Sequence, residues 1–309
     1  MKKLMIIGAS ILQLPAIKKA KEMGLHVAVV DYNRNAVGIE YADKYYNAST
    51  MDEDAVAEAA EDYKPDGIMT LATDMPMRGV SKSSARLGLK SIPYETAIKA
   101  TDKHEMIRSF EKHDVPHPWF FAVRDEQELN KLLPNINYPC IMKPTDNAGS
   151  HGVVLVGNEG QLKESYGYSR SNSRGGEVII EEYLQGQEVS VEVMVTDGNV
   201  NILQITDKLT TGAPHFVEMG HSQPSRLTEH VQMQIKQVAE NAVKAVGIDC
   251  GPAHVEMMIT QRGPVMIELG ARMGGDNITT HLVPLSTGID MVKATIDVAL
   301  GNQPDITVK

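Results

Sequence analysis

The 309-residue sequence predicts an α/β N-terminal domain with a parallel sheet, followed by antiparallel hairpins interleaved with helices. Three observations lead there. From Lys3 to Gly88, strand-like apolar runs alternate with amphipathic segments, the pattern of a parallel sheet covered on both faces. Beyond that, alternation of period two runs through "GQEVSVEVMVTDGNVNILQITDKL" about a turn at Asp197-Gly198. It recurs in two strands flanking residues 260–263. A chain of this length suggests two or three subdomains.

The elements follow in order. "KLMIIGAS" is a buried strand ending at Gly8, "PAIKKAKEMG" a helix stopped at Gly24, and "HVAVVD" a strand ending at Asp31. "MDEDAVAEAAEDY" is an acid-capped helix, "PDGIMTLAT" a strand and "VSKSSARLG" another helix. Ligands of such sheets sit at the carboxyl ends of strands, so Gly8-Ala9-Ser10, Asp31 and Thr73-Asp74 are candidate positions, each also an ordinary turn or cap residue. The glycines around Gly8 lack the dinucleotide spacing G-x-G-x-x-G. "TDKHEMIRSFEKHDVPHPWF" gives an N-cap at Thr101 or Asp102, a helix to about His113 and a proline-punctuated exit. Lys103 falls in the first turn, where the helix dipole disfavours a cation, so its charge has another use. "DEQELNKLL" is a helix, the polar stretch from Tyr166 to Gly176 reads as a mobile connection, and "EVIIEEYL" is a strand. Helices follow at "LTEHVQMQIKQVAENAVKAVG" and "GIDMVKATIDVALG".

The net charge of −10 with dispersed Lys and Arg argues against nucleic acid or an anionic membrane as partner. Cys140 and Cys250 are too few for a disulfide framework and suit buried thiols in a reducing compartment. The start "MKKLMIIGASILQLPA" has the basic, apolar look of a signal peptide. Lys18, Lys19 and Lys21 follow on an amphipathic helix, so strand–helix–strand explains the same residues, and no run reaches transmembrane length. A cytoplasmic protein is expected.

"CIMKPTDNAGSHGVVLV" places Lys143 before Gly149 and Gly152, with a strand after them. In a Walker loop the lysine follows the glycines and opens a helix, so this is a different device. A glycine-rich hairpin tip can fold its amides over a phosphate, with Lys143 supplying charge from the strand beneath; a solvent-facing β-turn would read the same way. "AHVEMMITQRGPVMIELGARMGGDN" puts one acid on each of two strands. A loop of Gln261-Arg262-Gly263 sets Glu256 opposite Glu268. Like charges there call for compensation, either a hard divalent cation such as Mg²⁺, or solvent exposure of one acid or its pairing with Arg262. Arg272, four residues past Glu268 and beside a Gly-Gly turn, adds a site for anionic oxygen.

Together these motifs resemble the ATP-grasp superfamily, in the branch of carboxylate–amine ligases related to carbamoyl phosphate synthetase and D-alanine–D-alanine ligase. The resemblance covers essentially the whole chain in order: the α/β domain, "TDKHEMIRSF", "IMKPTDNAGSHGV", "IIEEYLQGQEVSVEV" and "HVEMMI…VMIELGARMGGD". It implies an α/β domain over residues 1–98, then an ATP-grasp fold of two α+β lobes over 99–184 and 185–309, closing on ATP. Lys103 and Lys143 would contact phosphates, and Asn147, Gly149, Ser150, His151 and Gly152 would belong to a lid over them. Glu181, Glu182, Tyr183 and Leu184 would hold adenine, and Glu188 the ribose hydroxyls. Glu256 and Glu268 would hold Mg²⁺, for which Mn²⁺ could substitute, with Arg272 steadying the transferred phosphate and the acyl intermediate and Lys208 a further catalytic residue. The family's metal strand often reads E-x-N-x-R; here Gly270 stands at the Asn position and cannot ligate. Many relatives also continue into a further small subdomain, so this chain is either a compact member or a shortened one.

The implied reaction activates a carboxylate as an acylphosphate, which an amine then converts to an amide, releasing ADP and phosphate. Such chemistry needs positioning and charge neutralisation and no covalent nucleophile. Bicarbonate in a carboxylase or carbamoyl-phosphate type of reaction is the second reading, and a non-catalytic nucleotide-binding module the third. The loop "DKLTTGAPHFVEMGHSQPSRL" is expected to be irregular. His215, Glu218 and His221 read first as ordinary loop hydrogen-bonding residues, then as substrate contacts at the acceptor site together with Asp74, and last as a zinc site. A small-molecule carboxylate and an amine are the expected partners, and a homodimer is compatible with this picture.

Overall fold

In the computed structural model, residues 1–147, 149, 151–213 and 217–309 are described. Two of the residues singled out above, Ser150 and His215, lie outside them. The N-terminal sheet has strands β1 (Lys3–Ile7), β2 (His26–Val30), β3 (Lys44–Tyr46) and β4 (Gly67–Met69), all parallel, in the order β3-β2-β1-β4. Leu4, Met5, Ile6 and Ile7 are fully buried, as a run covered on both faces must be. Helices α1 (Leu14–Glu22), α2 (Glu53–Tyr63), α3 (Pro76–Leu87) and α4 (Tyr94–Lys99) complete this region. Asp52 caps α2 through Ala55 N, as its acidic start predicts.

The turns at the strand ends turn out to be self-satisfied. Asp31 accepts from Ala9 N at 2.8 Å and Asn33 N at 2.8 Å, and buried Gln13 accepts from Ser10 and donates to Leu71 O. Gly8-Ala9-Ser10 and Asp31 therefore close their own loops.

Helix α5 (Lys103–Lys112) starts at an Asp102 cap, whose carboxylate takes the amides of His104 and Glu105. The smaller antiparallel sheet comprises β5 (Phe120–Val123), β6 (Cys140–Pro144), β7 (Val154–Val156) and β8 (Val178–Glu182), ordered β5-β8-β6-β7. It shares a separate core with α6 (Glu126–Leu132) and α7 (Glu159–Ser171), built on Val123, Leu129, Met142, Leu162 and Ile180. Of the stretch expected to be a mobile connection, residues 166–171 instead finish α7, because Tyr166 and Ser169 are buried, and residues 173–176 connect it to β8.

The larger sheet comprises β9 (Gln187–Thr196), β10 (Asn199–Thr210), β11 (Glu218–Ser222), β12 (Gly251–Thr260) and β13 (Gly263–Gly270), ordered β11-β10-β9-β12-β13. The β9–β10 turn is Asp197-Gly198, both left-handed with φ of 49° and 78°, as the sequence predicts. The segment expected to be irregular around residues 217–222 is in part a strand. β11 pairs with β10, aligning His221 with Lys208. Val189, Val191, Val193, Val255, Met257 and Leu269 are buried on one face, toward α8 (Glu229–Val246) and α5. Their alternates form a polar face.

The chain ends with α9 (Val283–Thr287) and α10 (Met291–Ala299). Helix α10 packs on α1 and β4, so the C-terminal segment closes the N-terminal sheet. A side-chain carbon on Gly67 would stand 2.5 Å from Ala299 O, closer than real carbons approach. Gly67→Ala should push β4 from α10 and lower stability by about 1–3 kcal/mol, measurable as an earlier urea midpoint at unchanged slope.

Candidate functional site

A cavity of about 240 Å³ opens between the two antiparallel sheets. Its apolar walls are Ile141, Val153, Met258 and Met266, with Pro118, Tyr183 and Leu184 toward the segment that links the sheets. Most of the rest is charged or polar. Lys103, Lys143, Asn147, Gly149, His151, Glu181, Glu182, Glu188, Glu218, Glu256 and Glu268, all singled out from the sequence, line this one space. Lys208, Arg272, Asp74, Gly152 and His221 lie outside that lining; Lys208 joins it through Glu188, Glu218 and Glu256, and His221 through Glu218.

The lysines come from three elements. Lys103 opens α5, its amide bound to Thr145 O just before the glycine loop, and its Nζ lies 2.8 Å from Asn147 O and 3.1 Å from Glu268. Lys143 on β6 meets Glu181 on β8 at 2.7 Å, both side chains buried. Lys208 on β10, only 2% exposed, bridges Glu188, Glu218 and Glu256 at 2.7, 2.6 and 2.9 Å. Burial works against the charge of Lys103 and Lys208, but the surrounding carboxylates outweigh it and raise both pKa values. Glu188 goes the other way: burial lifts its pKa despite Lys208.

The acids on β12 and β13 face each other as the sequence requires, by a different route. Thr260 pairs with Gly263, so the loop is the two residues Gln261-Arg262. The register then slips between Glu256 and Met257, leaving Ile267 as an extra residue, and this bulge brings Glu256 opposite Glu268. Arg262 is engaged elsewhere, with Glu182 at 2.8 Å.

Sequence reasoning passed over the layer behind Glu256. Glu192, fully buried, holds His254 Nδ1 at 2.7 Å, and His254 Nε2 lies 3.2 Å from Glu256. Burial opposes a charged imidazole, but Glu192, aided by hydrogen bonds to both acids, pushes its pKa up to about 9. Burial also works against the Glu256 carboxylate, yet Lys208 and His254 outweigh it and hold its pKa well below the usual range. The signal was present: Glu188, Ser190 and Glu192 alternate with valines along β9, and His254 and Glu256 repeat that spacing on β12.

Beside β11, Glu218, His221 and Asp276 bring one ligand atom each within 4.8 Å of one another. The hydrogen bond from His221 lowers the Glu218 pKa to about 2, while its hydrogen bond with Glu218 raises that of Asp276. Arg272 pairs side-on with Asp74, Nε at 2.8 Å and Nη2 at 3.1 Å.

The glycine loop is anchored at both ends. Asp146 accepts from Ser173 Oγ, Arg174 N and Gly175 N, and Ser169 Oγ donates to Gly152 O at 2.7 Å. Gly149 and Gly152 are both left-handed, with φ of 66° and 81°. A side-chain carbon at Gly152 would stand 2.7 Å from Pro144 and Asn172. Gly152 is thus the loop's seat, and Asn147, Gly149 and His151 are the residues facing the cavity.

In sum of charge, Asp74, Glu181, Glu188, Glu192, Glu218, Glu256 and Glu268 outnumber Lys103, Lys143, Lys208, Arg272 and a protonated His254. That surplus, with two facing acids at the cavity wall, fits a divalent cation.

Residues 136–281 match the ATP-grasp domain family. The chain is 25% identical over 319 residues to the formate-dependent phosphoribosylglycinamide formyltransferase of Sulfolobus acidocaldarius, covering 99% of this chain and 78% of that protein. It is 28% identical over 314 residues to the alanine–anticapsin ligase of Bacillus subtilis, covering 91% of this chain and 66% of that one. The crystal structure of an L-amino acid ligase from Bacillus licheniformis superposes with a TM-score of 0.85 at 26% identity, over 97% of this chain and 74% of the ligase.

His254 gives a pH test. A folded pKa near 9, against an ordinary 6.5, contributes stability that is complete below about pH 6.5 and lost as pH rises through 9. The thermal midpoint should fall across that window, and His254→Gln should flatten this fall while lowering the midpoint at pH 6. An unchanged profile in the variant would contradict the assignment.

Proposed function

We propose, for a chain that belongs to the ATP-grasp superfamily of ligases, that it joins a carboxylate to an amine through an acylphosphate, releasing ADP and phosphate. The observation that carries this reading is the convergence of Lys103, Lys143, Glu256 and Glu268 on one cavity with an apolar slot beside them. The slot between Ile141, Met258, Met266 and Leu184 takes the adenine, and Glu188 the ribose. The organisation we adopt is an α/β domain over 1–98 and two lobes over 99–184 and 185–309.

Lys103 and Lys143 then neutralise phosphate oxygens, with the loop bearing Asn147, Gly149, Ser150, His151 and Gly152 drawn over them. Glu256 and Glu268 hold Mg²⁺, which supplies charge neutralisation at the β and γ phosphates when bound. Lys208 holds Glu188, Glu218 and Glu256 in place and favours their charged forms. Arg272 steadies the transferred phosphate. Attack by the substrate carboxylate on the γ-phosphorus forms the acylphosphate and expels ADP; attack by the amine on the acyl carbon expels phosphate.

The acceptor end favours an amino acid over a phosphorylated amine. Glu218 and Asp276 with His221 form an acidic corner suited to an ammonium group. Each cation of the network already has a carboxylate, which leaves little to neutralise a substrate phosphate besides those of ATP.

The test is phosphate release from ATP across carboxylates paired with amines. Release should require both partners, with amino acids among the active ones. Stimulation by bicarbonate alone would favour carboxylation, and nucleotide binding without release across the panel would favour a non-catalytic module. Glu268→Ala should cut Mg²⁺-dependent release at least about a hundredfold. Full turnover in that variant would remove the metal role from Glu268.

A further inference from the structure

One partly buried contact ties the N-terminal sheet to the site. Asp74 lies in the turn after β4 and engages Arg272, 198 residues away, with both carboxylate oxygens. The two side chains are 12% and 16% exposed, so neither charge is screened by bulk water, and each depends on the other.

Gly270 is part of the same contact. It follows Glu268 by two residues on β13, and a side-chain carbon built on it would lie 2.3 Å from Asp74 Oδ1 and 2.9 Å from Arg272 Nε. Its backbone is not left-handed, so the need for glycine is one of space alone. The carboxylate of Asp74 occupies the volume that any side chain at position 270 would claim.

A guanidinium presents five N–H groups in a rigid plane. Asp74 takes the Nε–Nη2 edge, and Nη1 lies 3.3 Å from Met273 O. The end-on Nη1–Nη2 fork is the two-pronged face that remains for oxygens of a ligand.

We propose that Asp74 is a positioning residue for Arg272, and that position 270 is glycine to admit it. The N-terminal sheet thereby sets the plane of the guanidinium, and the end-on fork is what the reacting oxyanion meets. An Arg272 without Asp74 keeps its charge but loses its aim. A mere staple between the two regions would require only that the pair exist, and its removal would weaken the fold without changing turnover by the folded enzyme.

The inference rests on the ligase reading for its turnover measurement and is independent of it for the spectroscopic one. The Nε–H resonance of Arg272 can be assigned in an arginine-labelled protein by its loss in Arg272→Lys. In Asp74→Asn that resonance should move, and its exchange with water should quicken about tenfold or more. Phosphate release with an equimolar mixture of L-amino acids should fall on the order of 10–100-fold in kcat, with MgADP affinity changed less than about twofold. Gly270→Ala should reproduce both effects when Asp74 is present and cost less in an Asp74→Ala background, where only the 2.9 Å contact with Arg272 Nε remains. An unmoved Nε–H resonance would overturn the proposal, as would equal cost of Gly270→Ala in both backgrounds, or an intact kcat with only a lowered melting point. Should the Asp74 variants fail to fold, the resonance in Gly270→Ala decides. Should the wild type release no phosphate, the ligase reading fails and the resonance still decides the positioning role.

Discussion

Charge on one face of the five-stranded sheet must be neutralised inside the protein, and the site is arranged around that requirement. Lys208 is nearly inaccessible, Glu192 is fully buried, and His254 lies between two acids. Ions in such a place cost several kcal/mol each unless they are paired at close range. The pairs supply that, and the same pairs keep Glu256 ionised at the cavity wall. A sheet with apolar side chains on both faces would be easier to stabilise but would present no acid to a ligand.

The partners arrive from separate regions. Lys103 comes on α5, whose opposite side buries Met106, Ile107 and Phe110 in the main core. Lys143 and Glu181 come on the smaller sheet, and Asp74 from the turn after β4. The relative position of these parts is therefore fixed partly by apolar packing and partly by the ion pairs at their meeting point. Changing one charge alters how two regions fit together as well as the local field.

How far this could be read in advance depended on range. Local patterns were legible: the parallel α/β alternation, the Asp102 cap, the turn at Asp197-Gly198, and the order of motifs around Lys143, Glu256 and Glu268. Contacts that sequence spacing does not encode were not. The facing of Glu256 and Glu268 was anticipated from a three-residue loop, whereas a two-residue loop and a bulge at Ile267 produce it. β11 was hidden because "EMGHS" has no apolar alternation and gains strand form only by pairing with β10. The end of α7 was hidden by its Ser, Tyr and Gly content, which tertiary burial of Tyr166 overrides. The Asp74–Arg272 contact spans 198 residues, and no local pattern announces it.

On the proposed reading, the acid surplus of this site receives a divalent cation that carries a nucleotide. Calorimetric titration of ADP, with Mg²⁺ and with the metal chelated, tests it most directly, in the wild type and in Glu256→Gln/Glu268→Gln. The account predicts that Mg²⁺ tightens ADP binding to the wild type and that the double variant loses this dependence. Equal ADP affinity with and without Mg²⁺ in the wild type would contradict it.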